Sequence, residues 1–253
     1  MPESRHESTS PEQNHVLGHD ERTPAHVHPR GHLVYPATGV LSLVTIQGSW
    51  IAPSNRSVWI PAGFEHQHRA HGSTDMRIVF MDAELAALLP AHPAVLAVTP
   101  LAREGVLALT DTDRRPPEVL ARLRRVVIDE LVAAPEQPLH LPEPADDRLR
   151  AVARLAEQDL SSSATLAELG HQVGASERTL SRLFHAETGM SFPRWRTQLR
   201  VHRALLLLAD GVSVLDTAVA CGWANPSAFI AGFSALVGQT PGRYQRSLRD
   251  GRP

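Results

Sequence analysis

Two groups of side chains in this 253-residue sequence have the chemistry to hold something, and they lie in different halves. Nine of the fourteen histidines fall at or before His71. His26 and His28 are spaced H-x-H, which on a strand points both imidazoles to one face. His32 follows four residues on, and His66 closes the run Pro61-Ala62-Gly63-Phe64-Glu65-His66. The second group is arginine. Residues 146–253 carry 13 arginines against 10 acids, whereas residues 1–145 carry 12 against 17, so a formal charge of -2 divides into an acidic half and a basic half. There is no lysine, so every basic contact is a guanidinium, the group suited to bidentate recognition of phosphate and guanine. Codon bias explains the missing lysines equally well and leaves the arginines in place.

Composition narrows what these groups can serve. With 42% hydrophobic and 21% charged residues, the chain is neither collagenous nor mainly disordered. No apolar run approaches the roughly 20 residues of a membrane helix, and the polar start MPESRHESTSPEQNH is unlike a signal peptide. We therefore expect a cytoplasmic protein with no membrane partner. Cys221 is the single cysteine, which excludes an intrachain disulfide and a thiolate cluster, and its place beside Gly222 predicts burial. Glu130 and Glu136 have no partner spaced for a carboxylate pair, and no nucleophile elbow or phosphate loop occurs, so no enzyme is expected.

The elements that must position these groups follow from periodicity. After a disordered tail over residues 1–19, β-branched runs at 39–46, 56–60 and 76–80, separated by Gly, Pro and Asn, predict a small antiparallel barrel or sandwich over 20–82. Ala/Leu segments at helical spacing through 109, and again at 117–132, predict a helical connector over 83–134 that serves dimerisation or interdomain contact. The stretch PEQPLHLPEPADD, residues 135–147, reads as a linker, and residues 148–248 read as all-α. The fold class is α+β and multidomain.

The helical part contains a repeat. Thr165 and Glu168 form a capping-box signature; Ser213 and Asp216 offer a looser version 48 residues later. Gly174 and Gly222 keep that offset, each where a short helix must stop and turn. Beyond the turn the offset is 49: Ser176 matches Asn225, Leu180 Phe229, Phe184 Phe233, and Gly189 Gly238. Each copy is therefore a short helix, a glycine turn and a second capped helix, the helix-turn-helix plan. In the first copy Arg178, Thr179, Ser181, Arg182 and His185 are left facing outward, and a helix over 193–209 carrying Arg194, Arg196, Arg200 and Arg203 spans the two. A helical bundle with a solvated arginine face is the alternative.

Residues 146–248 resemble the DNA-binding domain of AraC/XylS-type transcriptional regulators, through ASERTLSRLFHAETGMSFPRW, VACGWANPSAFIAGFSALVGQTPGRY and the GxTP-like ending followed by an aromatic. The resemblance implies a sequence-specific regulator on a double-stranded DNA operator, often a homodimer. It places the contacts on Arg178, Thr179, Ser181, Arg182, His185, Arg194, Arg196, Asn225 and Ser227. The second segment departs from the family pattern: Ser227 and Ala231 stand opposite Arg178 and Arg182, and Gly232 and Ser234 flank the second phenylalanine where basic residues are usual. Base discrimination is therefore expected chiefly from the first copy.

Upstream, H-x-H with His32 and Gly39, followed by P-x-G-x-x-H, resembles the two cupin motifs, with histidine in place of the usual glutamate. That implies a cupin-like sensor barrel for a small-molecule or metal effector. His26, His28, His32 and His66 would form the shell for a transition-metal ion, Zn, Fe, Ni or Cu. A barrel that has lost its metal but keeps its histidines for a ligand is the alternative. Tyr35, Trp50, Trp59 and Phe64 are candidate ligand-stacking residues, and His68 and His71 are expected at the surface. The competing function is a metal-dependent cupin enzyme with an accessory DNA-binding domain.

Overall fold

The computed structural model describes residues 12–111 and 115–250; residues 1–11 of the expected tail lie outside them. The first half is an antiparallel sheet of eight strands: β1 (Glu12–Leu17), β2 (His32–Thr45), β3 (Gly48–Pro53), β4 (Arg56–Ile60), β5 (Gln67–Phe80), β6 (Ala94–Ala97), β7 (Glu136–Gln137) and β8 (His140–Pro142). Their order is β1-β5-β2-β4-β6-β7, with β3 pairing β2 and β8. The pairing forks on β2, which bonds β4 through residues 32–34 and β3 through residues 40–45, with register shifts between Pro36 and Val40 along β5. Among the described residues the pairing forks and does not run in a closed ring.

The sheet reaches beyond the segment predicted to hold it. Residues 12–17, expected in a disordered tail, pair with β5. Residues 94–97, expected to be helical, pair with β4, because a short Ala-Val-Leu-Ala run between prolines is long enough for a strand and not for a helix. The expected linker is stitched in as well: β7 pairs β6, β8 pairs β3, and Leu139 and Leu141 are buried. The connector helices are α1 (Ala83–Ala86), α2 (Pro100–Thr110), whose N-cap Thr99 accepts from the Ala102 N–H, and α3 (Pro117–Ala133). Then follow α4 (Asp147–Gln158), α5 (Leu166–Val173), α6 (Glu177–Thr188), α7 (Phe192–Ala209), α8 (Val214–Ala220), α9 (Pro226–Val237) and α10 (Pro241–Asp250). No helix among the described residues is long and apolar enough to cross a membrane.

Three apolar cores hold these elements. Alternation along β2 sends Leu33, Tyr35 and Ala37 to a face covered by Val106 and Leu109 of α2 and Val127, Ile128 and Leu131 of α3. Val34, Leu41 and Leu43 belong to a second core shared with Val201 and Leu205 of α7, Cys221, Phe229 and Phe233 of α9, and Tyr244 of α10. Cys221 is fully buried and its thiol is pushed up to about 11. The third core, around Leu180, Phe184, Phe192 and Trp195, belongs to the helices alone except for Leu141 of β8. The second helix-turn-helix copy is thus fused to the sheet, and the first stands on a core of its own.

Candidate functional site

Local chemistry sets both helix-turn-helix units. Thr165 and Glu168 make the full reciprocal capping box on α5; Ser176 caps α6 by accepting from Thr179 N–H at 3.2 Å; Ser213 caps α8; Asn225 Oδ1 caps α9 by accepting from Ala228 N–H at 2.8 Å. The turns pass through Gly174 (φ 67) and Gly222 (φ 69), and at Gly222 a Cβ would stand 2.2 Å from the Leu160 carbonyl oxygen, so that turn is closed to any other residue. Leu180 and Phe184 are buried beneath α6, and Phe229 and Phe233 beneath α9. Arg178, Ser181, Arg182 and His185 are left exposed along one face of α6, and Ser227, Ile230, Ala231 and Ala235 along the matching face of α9.

Three predicted contact residues have internal employment. Thr179 is half-buried and its hydroxyl bonds with that of Ser176 at 3.0 Å. Arg196 donates to the Ala164 carbonyl and lies 4.4 Å over the Phe192 ring, so it fastens α7 to the segment before α5. Asn225 uses its side-chain oxygen as the cap. Arg194 is exposed. Arg200 also turns inward, donating to the Leu160 and Ser162 carbonyls at 3.0–3.2 Å. The spanning helix therefore spends two of its guanidiniums bracing the first unit.

Two features of the second unit were not legible from the motifs. Gly232 lies against Trp223, where a Cβ would be 2.3 Å from the indole, so this position faces inward and no basic side chain fits there. Arg56, on β4 and 8% exposed, donates to the Val237 carbonyl at 2.5 Å and to Gln137 Oε1 at 3.3 Å. A guanidinium thereby closes the negative end of α9 from the sheet side.

The histidines converge. Ring centroids are 4.3 Å apart for His26–His66, 4.7 Å for His28–His32 and 5.1 Å for both His32–His66 and His66–His68. His26 and His28 lie on an extended segment outside the named strands, with His26 bridged to His66 through backbone bonds of 2.8 and 2.9 Å. The nitrogens fall into two trios sharing His66, one with His28 and His32 and one with His26 and His68, each within 4.8 Å. Nδ1–H of His66 donates to the Phe64 carbonyl at 2.8 Å, that of His26 to Pro24 at 2.7 Å and that of His32 to Arg30 at 3.4 Å. Since a carbonyl only accepts, these bonds fix the tautomer and leave each Nε2 with a free lone pair.

Nε2 of His32 and His66 and both ring nitrogens of His68 are buried without a partner. An unsatisfied buried polar atom costs about 1–3 kcal/mol, so four in one cluster are expensive unless something binds them. Burial also keeps the rings neutral, pushing His66 down to about 4 and His32 and His68 well below the ordinary value. The donor set fits a metal that prefers imidazole. The surface expectation for His68 and His71 is corrected: His68 is 1% exposed because it shares with Ala70 the buried face of β5, whereas His71, on the opposite face beside Arg69, is half-buried and bonded to Ser42 at 2.8 Å.

The candidate stacking aromatics do not gather at this cluster. Tyr35 and Trp59 face the helix-covered side of the sheet, where their polar atoms donate to the Ser54 and Pro90 carbonyls. Trp50 is buried and stacks on His140 at 4.1 Å. Phe64 packs against the shared core.

Comparison with known proteins agrees with the repeat. A family model described as a helix-turn-helix domain matches residues 169–247. The HTH-type transcriptional regulator NimR of Escherichia coli (strain K12) is 33% identical over 246 residues, 96% of this chain and 89% of that protein. The chain belongs to the AraC-type transcriptional regulators. It is a DNA-binding regulator of that type and not an enzyme. The activator RhaR of Yersinia pseudotuberculosis serotype O:1b is 32% identical over 108 residues, 42% of this chain and 37% of its own. Among solved structures, a DNA-binding transcriptional dual regulator from Escherichia coli K-12 aligns at 27% identity with TM-score 0.39, over 42% of this chain and 95% of that one. ToxT from Vibrio cholerae aligns at 11% identity with TM-score 0.41, over 94% and 98%.

Proposed function

We propose that this AraC-type regulator senses a transition-metal ion or a small molecule in the histidine-lined sheet and answers by changing how its second helix-turn-helix unit meets a double-stranded DNA operator. The observation that carries the reading is the convergence of imidazole nitrogens whose lone pairs have no protein partner. His66 would be the common ligand, with His28 and His32 or with His26 and His68. A bound ion would supply a fixed positive charge and a rigid link between the His26–His32 segment and β5. The route outward runs from β2, which begins at His32, to its neighbour β4, and through Arg56 to the end of α9. An effector shifts operator occupancy only by binding the DNA-competent arrangement with a different affinity from the other.

A small-molecule effector has a second place to bind. A cleft of about 560 Å³ lies between Ser42, Ser49 and Arg69 of the sheet and His202 and Arg203 of α7, a volume ordinary for ligand sites. His202 Nε2 is buried there without a partner. On this reading the chain acts as a homodimer through α3, where Val126 and Val132 are exposed.

The test combines elemental analysis of purified protein with DNA titration before and after chelation, alongside His66→Ala. The metal reading expects stoichiometric metal, its loss in the variant, and a change in operator affinity on chelation. Bound metal that leaves affinity unchanged refutes metal sensing, and a monomer by light scattering with and without DNA refutes the dimer. In every case log affinity should fall with log salt by about 0.9 per phosphate neutralised.

A further inference from the structure

We propose that the second recognition helix selects thymine: the outward face of α9 reads the C5-methyl groups in the major groove, with Ile230 and Ala231 as the contacting residues. This rests on α9 entering DNA as the counterpart of α6. Ser227, Ile230, Ala231, Ser234 and Ala235 fall on one helical face by the 3.6-residue period, opposite buried Phe229 and Phe233; Ser227, Ile230, Ala231 and Ala235 are exposed, whereas the Ser234 hydroxyl is buried. Ser227, Ile230, Ala231 and Ser234 occupy the positions that Arg178, Ser181, Arg182 and His185 hold on α6 at an offset of 49. The face has no charge, and its largest side chain, Ile230, is 40% exposed. Rotating the helix to hide that isoleucine is prevented on the far side, where Gly232 fits against Trp223 and Arg56 holds the Val237 carbonyl.

The uncharged, largely apolar centre of this face, Ile230 and Ala231, favours a base edge that offers an apolar group. In the major groove thymine alone offers that, presenting a methyl beside its O4 acceptor, and alanine-like side chains are the ones that meet it. A branched isoleucine four carbons across spans the methyls of neighbouring bases, while the Ser227 hydroxyl is free to donate to O4. The absence of a guanidinium is equally informative: nothing on this face makes the forked contact that singles out guanine. The two units would read different alphabets, guanine or phosphate on α6 and methyl groups on α9. Leu215 and Val219 on α8 are also exposed, at 59% and 67%, and a protein partner covering this side is the rival occupant that the test separates.

Selection of the full chain on a random 30-base-pair duplex library gives a binding site. Each thymine in that site is then replaced by deoxyuridine, which removes one methyl and nothing else. The expected result is a loss of about fourfold per contacted methyl, confined to one half-site, the half-site bearing protected guanines being insensitive. Ile230→Asn, at an exposed position, should weaken the uracil dependence at the bases that Ile230 spans, leaving that of the base facing Ala231 and the guanine protections unchanged, and Ala231→Arg should move the preference toward guanine. Uracil-substituted sites that bind within twofold everywhere, under a hydroxyl-radical footprint covering both half-sites, would overturn the methyl reading while leaving α9 in the groove. A footprint on a single half-site would overturn the insertion of α9 itself.

Discussion

The two helix-turn-helix units share a plan and differ in what surrounds it. The first rests on a core of its own, with Arg178 and Arg182 outward and Arg196 and Arg200 bracing it from α7. The second shares its core with the sheet, is held by Arg56 at the end of α9, and shows the solvent a face without charge. Duplication fixed the backbone geometry of both, through the same caps and turns. What differs is the environment: one copy carries charge and packs on a core of its own, while the other is built into the body of the protein. On the proposed reading, affinity for DNA and communication with the sheet fall to different copies.

The largest effect should come from removing the charge that distinguishes the first unit. Arg178→Ala with Arg182→Ala is expected to weaken operator binding by at least about 30-fold at fixed salt, if each guanidinium makes a contact worth roughly 1–3 kcal/mol. A loss no greater than that from the single change Ser227→Ala would erase the contrast between the copies. Next comes the tie to the sheet. Arg56→Ala removes a charged hydrogen bond worth about 1.5–3 kcal/mol, so the melting temperature should drop by roughly 3–12 °C. Amide exchange should rise in α9 and not in α6; equal increases in both helices would mean that Arg56 holds the whole fold and not the second copy.

Acid should also act through the shared seam. His202 on α7 is buried opposite His71 and His140, and burial pushes it down to about 3. Folding keeps this ring neutral, whereas the unfolded chain protonates it near 6.5. Its contribution is therefore complete above about pH 6.5 and declines toward pH 3, by up to about 1.4 kcal/mol per unit. His202→Gln should flatten the acid limb of the stability curve measured by denaturant titration, and parallel curves would exclude the mechanism. The smallest expected change is that of Ser227→Ala, about two- to threefold in operator affinity for the loss of one neutral hydrogen bond, which a gel-shift series can resolve.

How much of this was legible in the sequence depends on the range of the interaction. Caps and glycine turns are local chemistry, so Thr165, Ser176, Ser213 and Asn225 announced the reader helices and their boundaries. Strand pairing is not local. Residues 94–97 and 136–142 are strands only because β3, β4 and β6 offer them edges, and no pattern within those short runs distinguishes them from helix or linker. His68 was missed for another reason. The motif ended at His66, yet the alternation that paired His26 with His28 applies equally to His66 and His68, and would have found it. The inward arginines were hidden because Arg196 and Arg200 look, in one dimension, like any solvated helix face.

The Pro-rich stretch between the halves gains its importance from where its backbone is committed. Its residues 136–142 pair into the sheet, while the Trp195 indole N–H and the Gln198 amide of α7 donate to the Pro142 and Pro138 carbonyls at 3.2 and 2.9 Å. A protease given this chain should find no easy nick there, despite a composition that invites one. A fragment cut to start at residue 148 would carry away the oily flank of Val201, Leu205 and Phe233 without the strands that cover it, and would clump. Exchanging reader modules between such regulators would have to carry the seam along with the helices.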